Sequence, residues 1–88
     1  MEREIESGWS TSEQVAELLH ITPAALTASR LRGVFHKAVE TKPDPNNVRW
    51  YLYKASEIIR LKEIMRRGRV RLETGVRVLR TLKEEGPL

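Results

Sequence analysis

The first third of the chain carries apolar residues at helical spacing, divided by two helix starts. Ser10 stands three residues before Glu13, the spacing of a capping box, and predicts the first start. Thr22 followed by Pro23 predicts the second, because a Thr cap leaves the first helical position free for a residue without an amide hydrogen. The first helix is therefore expected to end near His20, in the turn position that Gly usually holds.

The apolar faces of these two predicted helices fit each other. Val15, Leu18 and Leu19 fall on one face of the first helix. Ile21 and Leu26 provide the surface against which that face packs. Two helices joined by about three residues form a helix-turn-helix, whose second member lies in the major groove in DNA-binding proteins. Such a pair also occurs in domains that bind only protein, so both kinds of partner stay open.

The second helix is predicted to run to Leu31 and to end at Gly33, because glycine takes a left-handed φ at little cost. Leu26 points inward, and Leu31 continues its contact with the core. The candidate DNA-binding residues here are small or hydrogen-bonding: Thr22, Ala24, Ala25, Thr27, Ala28, Ser29, Arg30 and Arg32. Hydroxyl groups and Arg30 would bind base edges or phosphates, and Ala methyls would meet thymine methyls. The alternative is that Ala occurs here as the best helix former.

After this helix the pattern becomes alternating and rich in β-branched and aromatic residues. Residues 34–40 and 48–53 are predicted strands around the turn cluster T-K-P-D-P-N-N. The pattern leaves open whether Trp50 or Tyr51 is buried, and it places His36 in the first strand. A hairpin that follows a helix-turn-helix is a wing, with candidate phosphate contacts at Lys37, Lys42, Asn46, Asn47 and Arg49. The alternative is a solvated hairpin with ordinary surface charges.

Two amphipathic helices are predicted beyond the wing. The third helix covers residues 54–67 and the C-terminal helix covers residues 72–85. Their apolar positions recur at helical spacing: Ile58, Leu61, Ile64, Met65, Leu72, Val76, Leu79 and Leu82. The junction between them holds possible phosphate contacts that could equally form a solvated basic turn: Arg66, Arg67, Arg69 and Arg71. The last helix is expected to pack on the monomer, with a homodimer through it as the alternative.

Length and composition limit the classes of protein. The 88 residues predict a flexible lead over residues 1–8 and one domain over residues 9–86, with the helix-turn-helix in 9–33 and the wing in 34–53. Trp9 is expected to pack on the core, with exposed stacking as the alternative. The absence of Cys excludes disulfides and thiolate zinc sites, and we expect no metal and no cofactor.

The charge distribution favours a polyanionic partner. The formal net charge is +4, and residues 30–83 hold fifteen of the sixteen Lys and Arg. The charged N-terminus carries no apolar run, so no signal peptide or membrane span is predicted. We therefore expect a cytoplasmic protein, associated with the nucleoid if it binds DNA.

The chain resembles the winged helix-turn-helix domain of MerR-type regulators and phage excisionases. W-S-T-S-E-Q-V-A-E-L-L-H-I-T-P-A-A-L is similar to the excisionase opening, and Y-L-Y-K-A-S-E-I-I-R-L-K-E-I-M-R-R-G-R-V-R-L-E-T-G-V is similar to the MerR segment after the wing. The opening also resembles Mu repressor-type winged helices. Thr27 and Ser29 stand where these families usually have Arg and an aromatic residue. The resemblance implies a mainly α fold of about four helices with a two-stranded wing. MerR regulators continue into a long dimerisation helix and an effector domain, for which 88 residues without Cys leave no room, so no small-molecule effector is expected.

Two functions follow as hypotheses. The first is a small sequence-specific protein that binds double-stranded DNA, of phage or mobile-element type, acting in recombination as an excisionase-like architectural factor or as a compact transcription regulator. The alternative is a protein-interaction module that binds a polymerase, recombinase or packaging enzyme, favoured by Glu13 and Glu17 on the exposed side of the first helix. An enzyme is not expected, because no nucleophile stands beside a base and no glycine-rich phosphate loop is present.

Overall fold

The computed structural model describes residues 8–86, except for the side chains of Val48 and Arg49. Its elements in chain order are β1 (Trp9–Ser10), α1 (Ser12–Leu19), α2 (Pro23–Leu31), α3 (Val34–Ala38), β2 (Thr41–Asp44), β3 (Asn47–Lys54), α4 (Ala55–Gly68) and α5 (Leu72–Glu85). The strands form an antiparallel sheet in the order β1-β3-β2. The predicted mainly α fold with a β wing is confirmed. The predicted flexible lead lies outside the described residues, apart from Gly8.

Helix α1 begins one residue later than predicted. Thr11 is the cap: its hydroxyl accepts the Gln14 amide at 3.2 Å, and the Gln14 side chain accepts the Thr11 amide at 3.0 Å. The predicted pair of Ser10 and Glu13 is therefore wrong. Ser10 belongs to β1, where it pairs with Tyr53. This pairing keeps Ser10 in the strand, so the next hydroxyl residue becomes the cap.

The turn between α1 and α2 follows the prediction. His20 takes a left-handed φ of 56° and ends α1. Thr22 then caps α2, with its hydroxyl accepting the Ala25 amide at 3.0 Å, and Pro23 occupies the first turn. The three residues between the helices therefore set the helix-turn-helix geometry locally.

The first predicted wing strand is wrong. Residues 34–38 form the short helix α3, and β2 begins only at Thr41. Gly33, at φ 82°, turns the chain, and Phe35, Ala38 and Val39 then reach the core at helical i, i+3, i+4 spacing. His36 and Lys37 consequently lie on a helix rather than in the wing. The hairpin consists of β2 and β3, which are joined by residues 45–46.

The core lies where the helices meet the C-terminal end of β3. Its largest fully buried side chains are Tyr53, Phe35, Ile58, Leu61, Leu79, Val15, Val39 and Val76. The Phe35 and Tyr53 rings meet edge to face with centroids 5.7 Å apart. Trp9 is outside this cluster and half-buried, with the Lys42 ammonium 4.6 Å from its ring centroid. The expectation of core packing for Trp9 is therefore wrong.

Three leucines predicted in the apolar faces are exposed instead. Leu31 is 77% exposed, because five residues of helix rotate its side chain by about 140° away from that of Leu26. Leu18 and Leu82 lie at the edges of their helices and are also exposed. Trp50 and Tyr51 are both exposed, whereas Leu52 is buried with Tyr53. Burial over residues 50–53 therefore increases towards the C-terminal end of β3 and does not alternate.

The C-terminal helices match their predicted ranges within one residue at each end. Ile58 and Leu61 of α4 and Val76 and Leu79 of α5 are buried against the core. The residue with a left-handed φ after α4 is Arg69, at 52°, and not Gly68, which is the last helical residue. The short connection brings α5 back against both α4 and α3.

Candidate nucleic-acid interface

One side of α2 is open to solvent over the length of the helix. We define the outward face of α2 as five of its exposed residues, Ala24, Ala25, Thr27, Ala28 and Leu31. The opposite side is anchored in the protein by Leu26, which is 3% exposed. Thr22 is exposed at the N-terminal end of α2, where its hydroxyl caps the helix. This arrangement presents the backbone of α2 behind a layer of mostly small side chains.

Two predicted contact residues of this helix point away from the outward face. Ser29 is 3% exposed and lies near Val34 and Val76 in a small cavity, so the prediction that it contacts DNA is wrong. Arg32 forms an ion pair with Glu73 of α5. Both side chains of this pair are more than half exposed. The C-terminal end of α2 is therefore turned towards α5 on this side.

Arg30 lies on the hairpin side of α2. Its guanidinium carbon is 5.3 Å from the centroid of the Tyr51 ring, a cation–π contact. The His36 ring meets the same tyrosine edge to face at 5.7 Å, and its Nδ1 is 3.1 Å from the Thr41 hydroxyl. Partial burial and the positive charge of Arg30 lower the pKa of His36 from its ordinary value. These contacts join α2, α3 and the hairpin in one cluster.

A groove of about 360 Å³ separates α2 from β3. Thr27 and Arg30 line it from α2, Trp50 from β3 and Glu13 from α1. Trp50 is 44% exposed at this position, although it was not predicted as a site residue. The alternating pattern of β3 did single out Trp50, but it left the orientation of the side chain undetermined. The groove thus brings the exposed Trp50 ring and the Arg30 cation beside the outward face.

The structure places most of the predicted wing residues in the hairpin. Lys42 is in β2, Asn46 is in the connecting loop and Asn47 begins β3. The loop is held by a hydrogen bond of 2.8 Å from the Asn46 amide to the Asp44 carboxylate. Lys37 is exposed on α3, so its assignment to the wing is wrong. The Arg49 side chain lies outside the described part of the structure.

The basic junction between α4 and α5 is partly neutralised. Glu63 lies 3.0 Å from Arg67 and 3.4 Å from Arg66. The hydrogen bond from Arg67 and the charge of Arg66 lower the pKa of Glu63. Arg69 and Arg71 are exposed on either side of Val70. The junction therefore carries less net charge than its four arginines suggest.

Comparisons with protein-family models, with curated proteins and with solved structures find no match for this chain. The resemblance to MerR-type regulators and excisionases accordingly stays a prediction. Within residues 8–86, no group of three or more His, Asp or Glu side chains is placed to hold a metal ion. No helix in the described part of the chain is long and apolar enough to cross a membrane.

Proposed function

We propose that this chain binds double-stranded DNA, with α2 in the major groove and the β2–β3 hairpin against the sugar-phosphate backbone. The observation that carries the proposal is the exposed outward face of α2, held at a fixed angle by the turn after α1 and bordered by the hairpin. A helix held by the preceding helix and open on its other side is what helix-turn-helix proteins insert into DNA.

The size of the outward face supports insertion. An α-helix with side chains is about 10–12 Å across, and the major groove is about 12 Å wide. Ala24, Ala25 and Ala28 make this side of α2 narrower than an average helix surface. The helix backbone would therefore come close to the base edges without steric conflict.

The charges around the face also support a polyanionic partner. Helix α2 contains no acidic residue, and Arg30 borders its outward face on the hairpin side. Lys42 and Asn46 provide a cation and an amide donor in the hairpin, which suit phosphate oxygens. Glu13 lies in the groove between α2 and β3, where its negative charge opposes this attraction. The chain as a whole remains basic, at a formal charge of +4.

The biological role proposed with this binding is that of an excisionase-like architectural factor or a compact transcription regulator of phage or mobile-element type. Either role needs a small basic domain that binds a defined duplex site. The outward face of α2 is the part that would recognise sequence, and the hairpin would position the domain.

A protein-interaction module is the second candidate function. Leu31 is 77% exposed on the outward face, and Glu13 and Glu17 are exposed on α1. An exposed apolar residue on α2 and exposed acidic groups on α1 would suit a polymerase, recombinase or packaging enzyme with a basic docking surface. A partner retained from the host after nuclease treatment, by a chain that retains no DNA, would favour this candidate.

The test of DNA binding is a salt titration on a duplex enriched from a random-sequence pool by the full chain. The logarithm of the association constant should fall against the logarithm of salt with a slope of about 0.9 per phosphate neutralised. Ala28→Glu would place a carboxylate in the major groove of the bound DNA. It should weaken binding by roughly tenfold or more through repulsion from phosphates.

The matched control is Ala28→Gln, which adds nearly the same bulk without the charge and should therefore weaken binding less than Ala28→Glu does. Circular dichroism and thermal unfolding verify that both variants fold. Binding that is independent of salt, or equally reduced by Glu and by Gln, would contradict the proposed placement of α2.

A further inference from the structure

The centre of the outward face of α2 is apolar. Ala24, Ala28 and Leu31 follow one another at i, i+4 and i+7, so they form one stripe along the helix. Leu31 is 77% exposed at one end of it. With a rise of about 1.5 Å per residue the stripe is roughly 10 Å long. That length is comparable to about three base-pair steps of roughly 3.4 Å each.

The long polar side chains at the C-terminal end of α2 and at its capping residue are turned away from this stripe. Arg30 lies over the Tyr51 ring, and Arg32 pairs with Glu73. Ser29 is buried on the opposite side. Thr27 is the one polar residue of the outward face, and it lies towards the groove with β3. The centre of α2 therefore offers no side chain that could form two hydrogen bonds to one guanine or adenine.

We propose that the outward face of α2 recognises thymine through its 5-methyl group, so that the preferred site is defined by the positions of thymines in the major groove. This proposal rests on the proposed DNA-binding function. The thymine methyl is the apolar group that standard base pairs present in the major groove, and Ala is among its usual contacts. Burying it against Ala28 and Leu31 gains apolar contact area.

The same stripe gives no comparable gain at G·C pairs, because neither guanine nor cytosine presents a methyl group in the major groove. The polar base edges of A·T and G·C pairs alike would face Ala and Leu without a hydrogen-bond partner from the stripe. The discrimination by the stripe therefore comes from the thymine methyl group.

Charge favours DNA over an apolar protein surface as the occupant of this face. The stripe lies on a helix without acidic residues, in a chain with a formal net charge of +4. A protein partner that covered Leu31 would have to accommodate this net positive charge. A duplex places a row of phosphates beside the methyl groups that the stripe contacts.

The experiment starts from a duplex that the full chain enriches from a random-sequence pool. The same duplex is then synthesised with deoxyuridine in place of thymidine, which removes the methyl groups and retains the hydrogen-bonding edges. We expect the affinity to fall about fourfold for each contacted methyl. The salt slope should not change, because the phosphates are the same in both duplexes.

A variant connects this effect to α2. Leu31→Ala should weaken binding to the thymidine duplex and reduce the difference between the thymidine and deoxyuridine duplexes. Ile59→Ala is the matched control, because Ile59 is 60% exposed on α4 and outside the stripe. It should leave both affinities unchanged. Thermal unfolding verifies that both variants are folded.

The outcomes separate this proposal from the function on which it rests. Salt-dependent binding with equal affinities for the two duplexes would overturn methyl recognition while DNA binding stands. An unchanged difference between the duplexes in Leu31→Ala would overturn the assignment to α2. Enrichment of no duplex at all would overturn both proposals and would favour a protein as the occupant of the outward face.

Discussion

Gly75 illustrates how a single residue sets the distance between two helices. A Cβ atom at this position would lie 2.6 Å from Met65 Cγ and 3.2 Å from Leu61 Cδ1. Glycine within a helix costs about 1 kcal/mol relative to alanine, so its presence in α5 needs a packing reason. The reason is that the α5 backbone lies directly against side chains of α4. Gly75 therefore stabilises the helix pair even though it weakens α5 by itself.

The variant Gly75→Ala tests this balance. The overlap with Met65 and Leu61 should cost about 1–3 kcal/mol and the gain in helix propensity about 1 kcal/mol, so we expect a net loss of roughly 1 kcal/mol in the free energy of unfolding. Urea unfolding measures it. In a Met65→Ala background the overlap is relieved, and the same substitution should become neutral or stabilising. Stabilisation of the wild-type background by alanine would contradict the close approach.

At the scale of elements, short hydrogen-bonded caps and strand pairs compete for the same residues. Ser10 and Thr11 can both cap a helix, and each is followed three residues later by a side chain that completes a capping box. The pairing of Ser10 with Tyr53 assigns the cap to Thr11. The start of α1 therefore depends on β3, which is about forty residues away in the sequence.

The capping box at Thr11 predicts different effects for substitutions at Thr11 and at Glu13. Thr11→Ala removes the hydroxyl that accepts the Gln14 amide and should lower the free energy of unfolding by about 1 kcal/mol. Glu13→Ala changes an exposed residue outside the box and should cost less than about 0.5 kcal/mol. Denaturant unfolding of both variants is the measurement. Equal losses, or a larger loss for Glu13→Ala, would contradict the cap seen in the structure.

At the scale of the whole molecule, one polar network joins the C-terminal helix to the base of the wing. The Lys83 ammonium lies 2.6 Å from Glu57 Oε2 and donates to the Ala38 carbonyl at 2.9 Å. Glu57 Oε1 accepts the Glu40 amide at 2.6 Å. The Lys83 and Glu57 side chains are 31% and 17% exposed. This network connects α5, α4 and the segment that leads into β2, so it contributes to the orientation of the hairpin relative to α2.

Replacing Lys83 with Met should destabilise the domain more than an equivalent change at an exposed ion pair. Lys83→Met leaves the largely buried Glu57 carboxylate without its cation, and we expect a loss of about 1–2 kcal/mol. Arg80→Met on the same helix breaks the more exposed pair with Glu84 and should cost about 0.5 kcal/mol or less. Thermal unfolding of both variants provides the comparison. Similar shifts in Tm would show that the Lys83 network adds no special stability.

The sequence by itself determined the features that depend on residues within one helical turn. Thr22 and Pro23 start α2, His20 ends α1, and the apolar spacing of residues 55–85 defines α4 and α5. These interactions join residues at most about four positions apart, so the local pattern contains them. The helix-turn-helix and the open side of α2, apart from Ser29 and Leu31, were therefore predictable.

Only the tertiary structure decided the features that depend on distant segments. The pattern of residues 34–40 satisfies a strand or a helix, and packing of Phe35 on the core selects the helix. Ser29 is buried because α3 and α5 cover it, and Arg30 turns towards the hairpin because Tyr51 is there. Contacts of this kind contribute nothing to local periodicity. The composition of the candidate interface was therefore set by the assembled fold, since burial and the direction of a side chain exist only once its neighbours are in place.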